Sequence, residues 1–359
     1  MAAGPVVLVT GASGYLGAHC VKLLLERGYH VRGTVRSLKN ETKIRALRHI
    51  EENVLGSQLD LVEADLRHPE DWPSAVRGCS YVLHVASPFP LGGNEETIHT
   101  ALEGTRNVLE ACSRELSVRK VVLTSSILAA LGKASPVPRT ADEGFWGDPN
   151  ESAVAYIASK IVAERFAWEF QGRRDLRNRF ALTTICPALI VGPPLTDIKC
   201  SSVELICDLF QLPVVPKIGL QCVDVRDCAL AHVRAMERRQ TDGYRFFLSE
   251  QKPTAIKAMA QALNDEFRPY GYRISTKLLP NSVLSTAARF VVKFRMFHVF
   301  LNWNWTVDNR RCRQILGINP RDCLVSIVEM AHEIIRRGLI PKTRKYIEMR
   351  DSQPKKSFV

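Results

Sequence analysis

An apolar, β-branched run, Pro5 to Thr10, stops at Gly11-Ala12-Ser13-Gly14-Tyr15-Leu16-Gly17, and a helical pattern begins at once. That junction limits the folds open to the chain more than any other feature. Pro5–Thr10 reads as a buried strand. Tyr15 to Arg27 carries apolar residues at Leu16, Cys20, Leu23 and Leu24, one face of a helix, and Gly28 ends it. His30 to Val35 then reads as a second strand. A glycine-spaced turn between strand and helix of a βαβ unit places free backbone N–H groups and the positive end of a helix dipole at one point. Anionic phosphates bind there, and Gly11, Gly14 and Gly17 are the spacing of a dinucleotide turn.

The alternation continues. Leu59–Glu63, Tyr81–Val85, Lys120–Thr124 and Leu182–Cys186 read as strands, with helices at about 40–50, 69–77, 95–116 and 152–171 between them. This predicts an α/β fold, a Rossmann-type doubly wound parallel sheet with helices on both faces. After Pro187 the pattern turns irregular, punctuated by Pro193, Pro194, Pro213 and Pro216. The expected organisation is a Rossmann domain over 5–187 and a smaller C-terminal substrate lobe over 188–340. Some segments of that lobe are expected to return to the sheet. The last clear helix spans about 323–337, and a basic tail over 341–359 is expected to be solvated.

Hydrophobic residues are 46% of the 359, enough for a sizeable core. The greasy stretch Phe290–Phe297 is broken by Lys293 and Arg295, so no transmembrane segment is expected. The N-terminus shows no signal-peptide pattern, which predicts a cytoplasmic protein. The net charge of +12 is not organised as a basic stripe interleaved with aromatics, so no nucleic-acid partner is expected. The ten cysteines include no C-x-x-C pair and no cluster with ligand spacing. Buried reduced thiols and no metal are expected.

At the end of the second strand an acidic residue would bind the ribose 2′-hydroxyl of NAD; Arg36 stands there, with Lys39 and Lys43 following. A guanidinium can hold a 2′-phosphate through two parallel hydrogen bonds, so NADP(H) is expected. Asp65, after the third strand, could accept from an adenine amino group or act as a helix N-cap. Val85-Ala86-Ser87 closes the fourth strand where the chain would pass a cofactor ribose. Tyr156 and Lys160 lie four apart, on one helix face. A nearby ammonium lowers a phenol's pKa and makes it a usable acid and base. Upstream, Thr124-Ser125-Ser126 ends the fifth strand, at the edge where open α/β sheets bind ligands.

Taken together, the glycine turn, the strand-end serine and Tyr156/Lys160 resemble the extended short-chain dehydrogenase/reductase family. Within it, the chain is similar to the dihydroflavonol-reductase-like group of flavonoid, cinnamoyl and aldehyde reductases. The stretches Val31–Arg36, Gly104–Leu109 and Val223–Asp227 carry the likeness, over roughly residues 5–340. The resemblance implies that Tyr156 donates a proton to a carbonyl oxygen. Lys160 would lower the phenol's pKa and hold the nicotinamide ribose, and Ser126 rather than Ser125 would orient the carbonyl. Pro187 would flank the nicotinamide, and Arg36 with Lys43 would hold the 2′-phosphate. Ser13, Tyr15, Leu16, Leu66 and Thr124 would complete the cofactor contacts. The group's flavonoid reducers carry Asn five residues after the serine, where this chain has Leu131. Ile127, Leu128 and Leu131 therefore suggest an apolar wall, not a hydroxyl-gripping one. Gln221 matches a substrate-side glutamine of those enzymes, or is a polar surface residue.

The expected function is NADPH-dependent reduction of a small-molecule aldehyde or ketone to an alcohol. Two other readings stand beside it. One is an NAD(P)-dependent hydroxysteroid dehydrogenase or sugar-nucleotide epimerase on the same scaffold. The other is a non-catalytic NADP(H)-binding sensor or scaffold.

Overall fold

The computed structural model describes residues 4–88, 94–132, 135, 137–152, 154–173, 180–197, 200–290, 297–301 and 303–351. The greasy segment at 291–296 and the tail from 352 lie outside the described residues.

Seven strands form one sheet: β1 (Val6–Val9), β2 (His30–Val35), β3 (Gln58–Glu63), β4 (Tyr81–His84), β5 (Lys120–Thr124), β6 (Ala181–Pro187) and β7 (Arg245–Leu248). Their order is β7-β6-β5-β4-β1-β2-β3, and every neighbouring pair is parallel. The winding therefore reverses between β1 and β4, the switch point of a doubly wound sheet. Side chains alternate across the sheet as strand geometry requires. Val7 and Val9 enter one core and Leu8 the other.

Helices cover both faces. On the Val7/Val9 face lie α1 (Tyr15–Glu26) and α2 (Glu41–Glu52). On the Leu8 face lie α3 (Trp72–Val76), α4 (Glu95–Arg114) and α6 (Ala155–Gly172). A short α5 (Leu128–Leu131) follows β5. Helix α1 presents Leu16, Cys20 and Leu24 to the core, as the spacing predicts, and Gly28 follows its end at φ +75°. The single helix expected at 69–77 is instead a 3₁₀ turn, Pro69–Asp71, followed by α3. Pro69 and Pro73 each lack an N–H and are tolerated only in a first turn, which accounts for the break.

Elements after Pro187 return to the sheet. Helix α7 (Ser201–Gln211) packs near the strand Leu189–Val191, α8 (Val225–Glu237) packs against α1, and β7 adds the seventh strand. The strand Leu189–Val191 pairs with Cys222–Asp224, and Trp305–Val307 pairs with Arg139–Ala141. The basic tail is not wholly solvated. Arg344–Asp351 is helical, and the buried Tyr346 ring lies 5.6 Å from Tyr270 and 6.3 Å from Tyr272. That aromatic contact was not visible as a periodic pattern in so short a segment.

The turn after β1 is the tightest point of the packing. A Cβ at Gly17 would stand 2.3 Å from the carbonyl oxygen of Gly11. Gly11 itself sits at φ +65°, with a would-be Cβ 3.2 Å from Ala86. Backbone cannot move aside as a flexible side chain can, so Gly17→Ala belongs at the upper end of overpacking, about 3 kcal/mol. Urea unfolding of that variant should show the loss. A change under about 0.5 kcal/mol would mean that the turn relaxes freely.

Candidate active site

The crevice outside β1 and β4 opens into a cavity of about 1150 Å³. One buried hydroxyl ties the ends of β1 and β4 together beside it. Thr10 Oγ1 accepts from the backbone N–H of Val85 (3.0 Å) and Ala86 (2.9 Å) and lies 2.9 Å from His84 Nδ1. With both lone pairs of the oxygen used, its proton goes to His84, so Nδ1 is the unprotonated ring nitrogen. Burial, helped by the charge of Lys160, pushes the His84 pKa down to about 3, which agrees with a neutral ring. On the other side of β1, Gly11 N–H donates to Thr34 Oγ1 at 3.0 Å. The turn is thus held to β2 and β4 together, and α1, with Gly14 at its N-cap, has no side-chain cap on its first turn.

Nearly all the residues singled out in the sequence line this cavity. Gly11, Ser13, Gly14, Tyr15, Leu16 and Gly17 form one wall. Arg36, Lys43, Asp65 and Leu66 stand at the end nearer β2 and β3. Val85, Ala86, Ser87 and Thr124 follow the strand ends, and Ser126, Leu128, Tyr156, Lys160, Pro187 and Gln221 stand at the other end. Arg36 is exposed and Lys43 half-buried, and neither side chain has a hydrogen bond or ion pair with a described residue. Lys39 lies outside the lining.

Four expectations change in detail. Leu131 does not line the cavity. It is buried in the main core one turn of α5 beyond Leu128, which packs on the same core but also reaches the cavity. Asp65 is not a helix N-cap, since the turn that follows starts after His68. Its carboxylate takes three 3.0 Å hydrogen bonds from Arg67, which hold its pKa down at about 2. Gln221 is not a surface residue. It is buried, donates to the Trp305 carbonyl (2.8 Å) and accepts from the Trp303 indole (2.9 Å). Tyr15 lines the cavity, but its hydroxyl donates across to the Gly192 carbonyl, tying α1 to the loop after Val191.

At the candidate catalytic end, Lys160 Nζ donates to Ser87 Oγ at 2.9 Å and stands 5.7 Å from the centre of the Tyr156 ring. Helix α6 and the end of β4 are thereby joined. Burial lowers the Lys160 pKa from 10.5 to about 8, with Cys186 and Glu164 pulling the other way. Burial also raises the Tyr156 pKa above its usual value of 10, the reverse of the direction expected from an adjacent ammonium alone. Desolvation of the phenolate is the cause. Ser126 Oγ accepts from Leu128 N–H (3.2 Å), which leaves its O–H without a partner among the described residues.

Sequence reasoning missed the residues beneath this end. Glu164, one turn beyond Lys160, is buried with Arg245 at the head of β7. Arg245 Nε donates to Glu164 Oε1 (2.8 Å) and Nη2 to Oε2 (3.0 Å). Thr184 Oγ1 (2.8 Å) donates to Oε1, and Ser125 Oγ (2.7 Å) to Oε2. The signals were an acid on the buried side of a helix and a lone arginine leading the apolar run Phe246-Phe247-Leu248. Neither sequence signal names its partner.

The chain resembles known proteins in sequence and fold. Residues 8–278 match the 3-beta hydroxysteroid dehydrogenase/isomerase family. An uncharacterized oxidoreductase of Saccharomyces cerevisiae is 32% identical over 92% of this chain and 98% of its own. A cinnamoyl-CoA reductase of Medicago truncatula is 36% identical over 67% of this chain and 74% of its own. Among solved structures, yeast methylglyoxal/isovaleraldehyde reductase Gre2 complexed with NADPH superposes with a TM-score of 0.77. It is 27% identical and covers 93% of this chain and 100% of its own.

Removing one member of a buried ion pair strands the other charge. Glu164→Gln should therefore cost about 3–5 kcal/mol in denaturant unfolding, whereas the apolar pair Glu164→Leu/Arg245→Met should recover most of that loss. Equal losses in both variants would mean that packing, not charge, sets the cost.

Proposed function

The chain belongs to the 3-beta hydroxysteroid dehydrogenase/isomerase family, among the extended short-chain dehydrogenases/reductases, and from that premise we propose that it is an NADPH-dependent reductase of aldehydes or ketones. One observation carries the reading: a single cavity runs from Arg36 and Lys43, past the glycine turn, to Ser126, Tyr156 and Lys160. The residues fit the cofactor. Gly11 and Gly17 let the turn pack tightly against Ala86 and its own helix, the turn lines the cavity, and α1 starts without a side-chain cap, so its first N–H groups face the site. Arg36 and Lys43 would hold the 2′-phosphate, the glycine turn with Ser13, Tyr15 and Leu16 the pyrophosphate, and Asp65 with Leu66 the adenine side. Val85, Ala86, Ser87, Thr124 and Pro187 would flank the ribose and nicotinamide. When bound, NADPH supplies the hydride that reduces the carbonyl carbon.

The chain's own residues do the rest. Tyr156 donates its phenolic proton to the carbonyl oxygen, and burial keeps that proton on the phenol at neutral pH. Ser126 orients the same oxygen with its O–H. Lys160, mostly charged below about pH 8, holds Ser87 and favours the phenolate left after transfer. Both Tyr156 and Lys160 are in place, which speaks against a sensor without chemistry. Arg36 at the close of β2 speaks against NAD-linked alternatives.

The substrate is a small molecule. Ile127, Leu128, Leu205, Leu220, Phe297 and Phe300 give its end of the cavity an apolar wall. Glu204 and Asp208 of α7 line that end, and Lys160 is the basic residue there among the described lining residues. A neutral carbonyl compound fits this setting better than an anionic one. Among the described residues no helix is long and apolar enough to cross a membrane. All ten cysteines are free, the usage of a reducing compartment, and the cytoplasm is the location we assign.

Removing the phenolic hydroxyl tests the assignment. Tyr156→Phe should lower kcat for NADPH-dependent reduction of a neutral aldehyde by about 100- to 10,000-fold. In the wild type, kcat should fall as pH rises through about 8, where Lys160 loses its proton. Undiminished turnover in Tyr156→Phe would move the proton donor elsewhere.

A further inference from the structure

Two adjacent serines, Ser125 and Ser126, line the same cavity beside Tyr156. They are not equivalent. The Ser125 hydroxyl is spent on Glu164 Oε2 at 2.7 Å, while its N–H extends the β5–β6 ladder to the Ile185 carbonyl at 2.7 Å. Ser126 keeps its O–H for a ligand.

The carboxylate that makes this choice is itself immobilised. Arg245 grips both of its oxygens, and Trp168 Nε1 adds a bond to Oε1 at 3.3 Å. Arg245 has no freedom either. Its Nη1 donates to the carbonyls of Glu143 (2.8 Å) and Phe145 (2.7 Å), and its guanidinium lies 3.7 Å from the centre of the Trp146 ring. The partners of Glu164 are neighbours of the catalytic end in every direction. Ser125 precedes Ser126, Thr184 and Cys186 lead to Pro187, and Lys160 lies one turn earlier on α6.

A buried ion pair adds little net stability over apolar residues of similar volume, so stability alone gives a weak reason for one here. We propose that Glu164, locked by Arg245, is a positioning residue for the reaction: it withdraws the Ser125 hydroxyl, leaves Ser126 as the serine that meets the substrate oxygen, and keeps Lys160 charged beside Tyr156. The inference rests on the reductase reading. Glu164 stands one turn from Lys160 on the same helix face, and after Cys186, itself in contact with Glu164, its field opposes the effect of burial on the Lys160 ammonium.

The test uses the full chain and the apolar pair Glu164→Leu/Arg245→Met, which leaves no stranded charge, with Ser125→Ala as a milder variant that keeps the ion pair. Two readouts are needed. One is kcat and KM for NADPH-dependent reduction of a neutral aldehyde across pH. The other is the Lys160 titration followed by NMR of ¹³Cε-labelled lysine, assigned with Lys160→Met, which does not depend on turnover. The expected result is a kcat about tenfold lower or more in the apolar pair, with KM for NADPH little changed. The Lys160 midpoint, and the alkaline limb of kcat with it, should move down by about one pH unit. Ser125→Ala should lower kcat less and leave the midpoint in place. A folded apolar pair with wild-type kcat and a wild-type Lys160 midpoint would overturn the proposal. If the wild type reduced no carbonyl compound, the reductase reading would fall, and an unmoved Lys160 midpoint would then separately remove the electrostatic role of Glu164.

Discussion

The reversal of winding between β1 and β4 is the constraint on which the rest of this structure depends. Where two neighbouring parallel strands send their following helices to opposite faces, a crevice must open at their carboxyl ends. In this chain the Thr10 hydroxyl spans that crevice, bonded to two backbone N–H groups after β4 and to His84. The glycine turn then has to pass close to Ala86 on one side and to its own helix on the other, and Gly11 and Gly17 meet both demands. These contacts fix the course of the turn.

The far end of the cavity is organised by a different kind of interaction. Helix α6 carries Tyr156 and Lys160, and the end of β5 carries Ser126. Those elements belong to separate parts of the chain, and nothing local sets their spacing. Glu164 and Arg245 join α6 to β5, β6 and β7 and to the loop at 143–146 through hydrogen bonds that use both carboxylate oxygens and three guanidinium nitrogens. Polar groups satisfied this fully in a dry interior specify one geometry, because any shift breaks several bonds at once. The same burial acts on the two proposed acid–base residues. It holds the tyrosine proton in place and brings the lysine toward neutral pH.

Local periodicity made the first six sheet strands and α1 legible in the sequence to within a few residues. Each is a short apolar run bounded by glycine or polar residues. The glycine turn, Arg36 and the Tyr156/Lys160 spacing were legible because their chemistry depends on neighbours in the chain. What was not legible depended on partners far away. Arg245 was invisible as the mate of Glu164 because 81 residues separate them. Sequence position alone puts Leu131 beside the pocket, but it lies wholly in the core, one turn of α5 beyond the Leu128 that lines the cavity. Gln221 reads from sequence as either a substrate-side or a polar surface residue, and only the Trp303–Trp305 segment that covers it excludes the surface. The direction of the Tyr156 shift was misjudged for the same reason. A neighbouring charge can be read from spacing, but the depth of burial cannot.

The central claim is that Arg36 and Tyr156 mark the two ends of one reductase site. Label transfer tests it most directly. The protein would be given NADPH carrying deuterium at the transferable C4 position, together with a neutral aldehyde, and the alcohol analysed by NMR. The account predicts one deuterium on the carbinol carbon, with transfer strongly suppressed in Tyr156→Phe. Alcohol formed without label, or NADPH bound with no transfer to any of a broad set of aldehydes and ketones, would contradict it.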